Sequence, residues 1–180
     1  MSILDLLTTF WMNWIMLPSF ILGIIGLLFY VYSTQNKKIN RKRFNIIGIY
    51  LIILFVFNWL IGFSLSLTFE TLVKKELISF LNQPNIEIKI NGEKLVPEYS
   101  TRVVSELKEI KSLPGHHSSP KDEIELKIIS DKDSMTLTIK KDSEKEYEFW
   151  VFSDKYNHTK ENDIGKLKTL VFIRYYNSNS

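Results

Sequence analysis

The stretch from Phe44 to Thr68, FNIIGIYLIILFVFNWLIGFSLSLT, runs for 25 residues without a charged side chain, and its reading decides the fold. An α-helix rises about 1.5 Å per residue, so about 20 apolar residues cross a hydrocarbon core about 30 Å thick. A second such stretch precedes it. Trp14 to Tyr32, WIMLPSFILGIIGLLFYVY, lies inside an interval from Leu6 to Asn36 that also lacks charge. Neither carries the polar stripe of a soluble amphipathic helix, so every face must meet lipid or a partner helix. Trp11 and Trp14 at one end of the first run and Tyr30 and Tyr32 at the other suit the two interfacial belts of a bilayer. The pattern predicts a two-helix transmembrane hairpin with spans at 14–32 and 44–68.

The connecting segment 33–43 holds Lys37, Lys38, Arg41, Lys42 and Arg43 and no acid. Short basic loops stay on the cytoplasmic side, which places residues 1–13 and everything after residue 69 outside. A cleaved signal peptide needs positive charge before its apolar run and a small-residue cleavage site after it. Here the order is reversed and the chain contains no alanine. The expected location is therefore a bacterial-type plasma (inner) membrane, multi-pass, with the N-terminus and the C-terminal domain extracytoplasmic. The partition is 1–69 for tail and hairpin, and 70–180 for the outer domain.

Within the hairpin, Ser19 and Gly23 are four apart, as are Gly62 and Ser66, a spacing that lets helix backbones approach closely. Asn58 places an amide near mid-membrane, where it needs a hydrogen-bond partner across the hairpin, in a second copy or in another membrane protein. A homo-oligomer is thus among the expected assemblies. Pro18 is expected about one turn into the first helix, where its missing N–H does little harm. No Asp, Glu, Lys, Arg or His falls within 14–32 or 44–68, which argues against a proton relay or an ion-coupled transporter.

The whole chain has 23 Lys plus Arg against 20 Asp plus Glu. Five of those cations belong to the loop, so residues 70–180 keep 18 basic and 19 acidic side chains. That near-neutral balance excludes the electrostatic footprint of a nucleic-acid binder, despite a pI near 8.9. Cysteine is absent, which removes disulfides, thiolate nucleophiles and Cys-ligated metal centres.

The outer domain reads as α+β. Val73, Leu77, Phe80 and Leu81 mark one face of a helix over Glu70 to Gln83, stopped by Pro84. Ile86, Ile88 and Ile90 alternate with polar residues ahead of Asn91-Gly92, the strongest short signal for a two-residue hairpin turn. Pro97 to Leu113 places Val103, Val104, Leu107 and Ile110 on a second helical face. After a Pro/Gly/Ser loop the period becomes two: Ile124, Leu126 and Ile128, then Met135, Leu137 and Ile139, then Tyr147, Phe149 and Val151. The expected architecture is an antiparallel meander with a preceding hairpin, packed on one or two helices. Trp150 and Phe152 would lie on the face away from the main core, covered or exposed as a contact surface. Ile164 to Phe172 fits strand or helix, and the terminal NSNS is expected to be disordered.

Signals for chemistry are weak. His116 and His117 are adjacent, which is not the i, i+4 geometry of helix-borne ligands, and a catalytic metal site takes three protein ligands even if His158 approaches. Asp131-Lys132-Asp133 lacks the sixth-position glycine of a calcium loop and continues straight into a strand. The chain has no GxSxG elbow, Walker loop or dinucleotide glycine loop. Asn157-His158-Thr159 matches an N-glycosylation acceptor. No enzyme activity, cofactor or metal is expected. The expected partners are the lipid bilayer and a protein, with the His116/His117 loop, Trp150 and Phe152 as contact residues and an immunity-type protein as one concrete form. Two other classes stay open: an accessory or sensor subunit that makes its contacts through the hairpin, and a metal hydrolase built on His116 and His117.

Overall fold

The computed structural model describes residues 2–35, 41–112, 117–131 and 133–177. The chain divides into two compact units, residues 1–69 and 70–180. Helix α1 (Ile3–Phe10), a π-helical turn at Trp11–Ile15 and helix α2 (Met16–Gln35) form one helical run, and helix α3 (Arg41–Leu81) forms the second. The first run starts earlier than the hydropathy pattern indicates, because Ser2 caps it: its hydroxyl accepts the Asp5 N–H at 3.1 Å. Asp5 is a buried residue of this first helix. Pro18 also moves, from a first turn to the middle of a helical run. A proline there removes one i to i−4 bond and crowds the carbonyl four residues back, at Trp14. The π turn that contains Trp14 absorbs this defect, since widened turns accompany such interruptions.

Residues of the first unit come close together at Gly26 and Gly48. A Cβ on Gly48 would stand 2.7 Å from the Gly26 carbonyl oxygen and 2.8 Å from the Tyr30 nitrogen, so backbone fills the space a side chain would need. Gly23 faces the Phe55 ring and Gly62 faces Met16 and Trp11, while Ser19 is buried. Ser66 is half-buried on α3. Edge-on ring pairs Phe20–Phe55 and Phe29–Phe44, with centroids 5.9 and 5.5 Å apart, flank the glycine contact.

In the second unit, strands β1 (Glu87–Ile90), β2 (Glu93–Lys94), β3 (Pro120–Ile129), β4 (Ser134–Asp142), β5 (Glu148–Ser153) and β6 (Gly165–Lys168) make one antiparallel sheet in the order β2-β1-β3-β4-β5-β6. Asn91 and Gly92 take positive φ of 50° and 84°, as a two-residue hairpin turn requires, and the Asn91 side-chain oxygen accepts the Glu125 N–H at 2.9 Å. That bond ties the hairpin to β3, so it extends the meander into a single sheet.

One sheet face is apolar: Ile88, Ile90, Ile124, Leu126, Leu137, Ile139, Phe149 and Val151 are all buried. Val73, Leu77 and Phe80 of α3, with Val103 and Leu107 of helix α4 (Pro97–Lys108), are buried with them. The segment Ile164 to Phe172 resolves into β6 and a turn leading to helix α6 (Ile173–Asn177). Phe172 and Tyr176 pack on Phe149 with ring centroids 5.6 Å away in each case, and the Tyr176 hydroxyl donates to the Ile139 carbonyl at 2.6 Å. Helix α5 (Asn157–Glu161) is a short element with no periodic signal in the sequence. Residues 178–180, and with them most of the NSNS tail, lie outside the described residues.

Candidate functional site

The second sheet face is polar over β3 and β4, where Glu123, Glu125 and Lys127 are exposed beside half-buried Thr136, Thr138 and Lys140. Toward β5 and β6 it becomes a buried ionic cluster. Strand alternation puts Glu148, Trp150 and Phe152 on this face, and the register sets Trp150 opposite Lys166. The Lys166 ammonium stands 3.5 Å from the Trp150 ring centroid and 3.7 Å from the Glu148 carboxylate. Lys145 reaches the same carboxylate at 3.5 Å. Glu148 is 0% and Lys166 3% exposed. Burying both charges is tolerable only because they face each other and an aromatic ring.

Asp142 closes the cluster. Its carboxylate accepts the Ser118 hydroxyl at 2.6 Å, the Trp150 indole N–H at 2.9 Å, and the backbone N–H groups of Glu144 and Lys145 at 2.9 and 3.1 Å. Burial alone would raise its pKa; the donors of Ser118, Glu144, Trp150 and Lys145 more than offset that and hold it at about 2. A carboxylate so fully engaged is a poor general base. Chemically, the arrangement fixes the loop before β3, the turn after β4 and strands β5 and β6 to one another.

The sequence-derived candidates fall in different places. Trp150 is half-buried in this cluster. Phe152 is 6% exposed, with Lys140 lying 5.2 Å over its ring, so it offers no free aromatic surface. His117 is exposed; His116 lies outside the described residues, as do Lys37 and Lys38 of the basic loop. Arg41, Lys42 and Arg43 are exposed in the first turn of α3. His158 is buried in α5 beside Asn162. Among the described residues no three His, Asp or Glu side chains converge as metal ligands. Thr159 of the glycosylation acceptor is fully buried, its hydroxyl donating to the Ser153 carbonyl at 2.8 Å.

In the first unit, the Asn58 side-chain amide donates to the Leu54 carbonyl of its own helix at 2.9 Å. The cross-helix bond uses instead the Asn58 backbone carbonyl, which accepts the Trp11 indole N–H at 3.2 Å. Spacing alone gave no sign of this pairing.

Two surface features carry no sequence motif. A groove of about 520 Å³ lies among Ile86, Leu95, Pro97 and Val104 with polar Gln83, Ser100 and Thr101. Its charged residues Glu87 and Lys94 pair with each other, and that hydrogen bond lowers the Glu87 pKa. The other is an aromatic clasp. The Arg174 guanidinium carbon sits 3.4 Å from the Tyr99 ring centroid and 4.8 Å from that of Tyr175, and an Nη of the same group donates to the Tyr175 hydroxyl at 2.7 Å. Tyr99 in turn donates its hydroxyl to the Val171 carbonyl. No protein-family model matches this chain, and neither a curated protein nor a solved structure is significantly similar to it.

Proposed function

We propose that the chain is a membrane-anchored binding protein, its helical pair spanning a bacterial plasma membrane and its α+β domain holding a protein partner on the extracytoplasmic side. The observation that carries the anchor is the exposure of the two helical runs: only 17% and 11% of their most apolar stretches are buried. Trp14 (70% exposed), Tyr50 (70%) and Phe57 (60%) are among the most exposed side chains of both helices. A core helix of a soluble protein hides such side chains, and water would penalise each of them by about 1.5–3 kcal/mol relative to burial. A bilayer removes that penalty. The orientation rests on the five cations of the 37–43 segment.

Binding in preference to catalysis is supported by a chain that lacks cysteine, a nucleophile elbow and any nucleotide glycine loop. It is also supported by a buried ionic cluster whose carboxylates are spent on structure. An immunity-type protein, which neutralises a toxin acting in the periplasm or the membrane, is the concrete form. Affinity purification of the detergent-extracted full chain tests the reading: it expects one protein enriched at near-stoichiometric level and sensitivity to a toxin encoded nearby after deletion. Recovery of the chain alone, together with an unaffected deletion strain, overturns it.

A second reading, an accessory or sensor subunit working through the helices, draws on the exposed face of α3 around Phe57, Leu60, Ser64 and Thr68. Under it, substitutions on that face abolish assembly while charge changes in the outer domain do not.

A further inference from the structure

In the second unit arginine is scarce and localised. Residues 70–180 contain sixteen lysines and two arginines, Arg102 and Arg174, and both arginines stand beside Tyr99. Arg102 lies one helical turn from Tyr99 on α4, and Arg174 comes from α6. Both are exposed, and among the described residues neither has an ion-pair partner. Exposed lysines such as Lys75, Lys108 and Lys127 are solvated surface charges. Arginine clamped against tyrosine is a different device, because its planar fork is already ordered and loses little freedom when it pairs with a carboxylate.

Apolar surface adjoins this clasp. Leu170 precedes the Val171 carbonyl that Tyr99 engages, and it is 73% exposed. Tyr147, 50% exposed, accepts the Thr169 N–H at its carbonyl at 2.8 Å, which sets it next to Leu170 along the chain ends of β5 and β6. Tyrosine and arginine are the residue types enriched at the centres of protein interfaces. Within the described part of the second unit they coincide here with its most exposed leucine.

We propose that Tyr99, Arg102, Tyr147, Leu170, Arg174 and Tyr175 form the docking surface for an acidic segment of a protein partner, in which a carboxylate pairs with Arg174 and a neighbouring apolar side chain covers Leu170. The two unpaired cations select the charge, and the exposed Leu170 and Tyr147 supply the apolar contact. This rests on the partner-binding reading above and names its surface.

The test places a photo-crosslinking amino acid in the full-length protein, in its native membrane, at Leu170 or at Glu125 on the open polar face of β3. The expected result is an adduct from Leu170 to a peptide rich in Asp or Glu. Arg102→Glu should reduce it at least tenfold, and so should Arg174→Glu; the thermal unfolding midpoint reports whether each variant is folded. Arg102→Glu decides the matter if Arg174→Glu fails to fold, since Arg102 is exposed and has no ion-pair partner among the described residues. An adduct from Glu125 and none from Leu170 overturns the surface and leaves the binding reading standing. Adducts from neither position overturn both. An adduct at Leu170 to a second copy of this chain or to lipid, or one indifferent to both charge reversals, overturns the acidic-partner proposal.

Discussion

Lys166 lies with its ammonium 3.5 Å from the centre of the Trp150 ring, and the two residues are direct cross-strand neighbours on β6 and β5. The contact lies on the β5–β6 pair, in a segment whose sequence fits strand or helix. It also explains why the chain can bury Glu148, which takes Lys166 and Lys145 as its cations. Lys166→Met should remove one of the cations that face the buried Glu148 and destabilise the domain by about 3 kcal/mol. Combining it with Glu148→Gln should recover part of that loss, so a double-mutant cycle by denaturant unfolding of the detergent-solubilised chain should show a coupling well above 0.5 kcal/mol. Additive losses would mean that the two charges do not sense each other.

Acid stability should carry the signature of Asp142. Its folded pKa, about 2, lies below the ordinary carboxylate value of 3.8, so the group binds fewer protons in the folded state. Its contribution is fully present above about pH 4 and disappears as pH falls through about 2. The unfolding midpoint of the native chain should therefore fall more steeply between pH 4 and 2 than that of Asp142→Asn. Parallel curves would contradict the hydrogen-bond assignment.

Close approach of α2 and α3 depends on Gly48. Gly48→Val would drive a side chain into the Gly26 carbonyl, whereas a Cβ on Gly62 meets side chains only, the Met16 sulfur at 3.1 Å and the Trp11 ring at 3.2 Å. The first change should cost about 1–3 kcal/mol and the Gly62→Ala change less than about 1 kcal/mol, measured as helix-pair unfolding in detergent. Equal effects would place the crossing elsewhere.

The turn at Asn91-Gly92 should be sensitive to side chains in a similar way. Gly92 holds φ at 84°, a left-handed conformation that costs other residues about 1–2 kcal/mol. Gly92→Val should lower stability by about that amount without changing the rest of the sheet, as amide hydrogen exchange on β3 and β4 would register. No loss would mean the hairpin tolerates another turn.

Long apolar helices, the Asn-Gly hairpin and the three alternating strands are legible in the sequence because each depends on local periodicity or turn chemistry. The alternation also assigns Trp150 and Phe152 correctly to the second face. It leaves open whether that face is covered or exposed: near the sheet edge Glu148 is enclosed and Phe152 is covered. Burial of a charge depends on partners distant in sequence, here Lys166 and the ring of Trp150. The clasp of Arg174 by Tyr99 likewise joins helices more than seventy residues apart. A clue was present in composition, since two arginines among so many lysines mark positions where a planar cation is needed. The Gly26 and Gly48 contact escaped the small-residue spacing because the two glycines sit on different helices.

Topology is the central claim, and the absence of cysteine from the sequence makes it directly measurable. Single cysteines are placed at Gln35, the last residue of α2, and at Thr101, exposed on α4. They are then probed with a membrane-impermeant maleimide from the extracytoplasmic side of an intact inner membrane. The account predicts that Thr101→Cys reacts and that Gln35→Cys reacts only after the membrane is opened, with the protein retained in the membrane pellet after a carbonate wash. Labelling of Gln35→Cys but not Thr101→Cys, or release of the chain by carbonate, would contradict it.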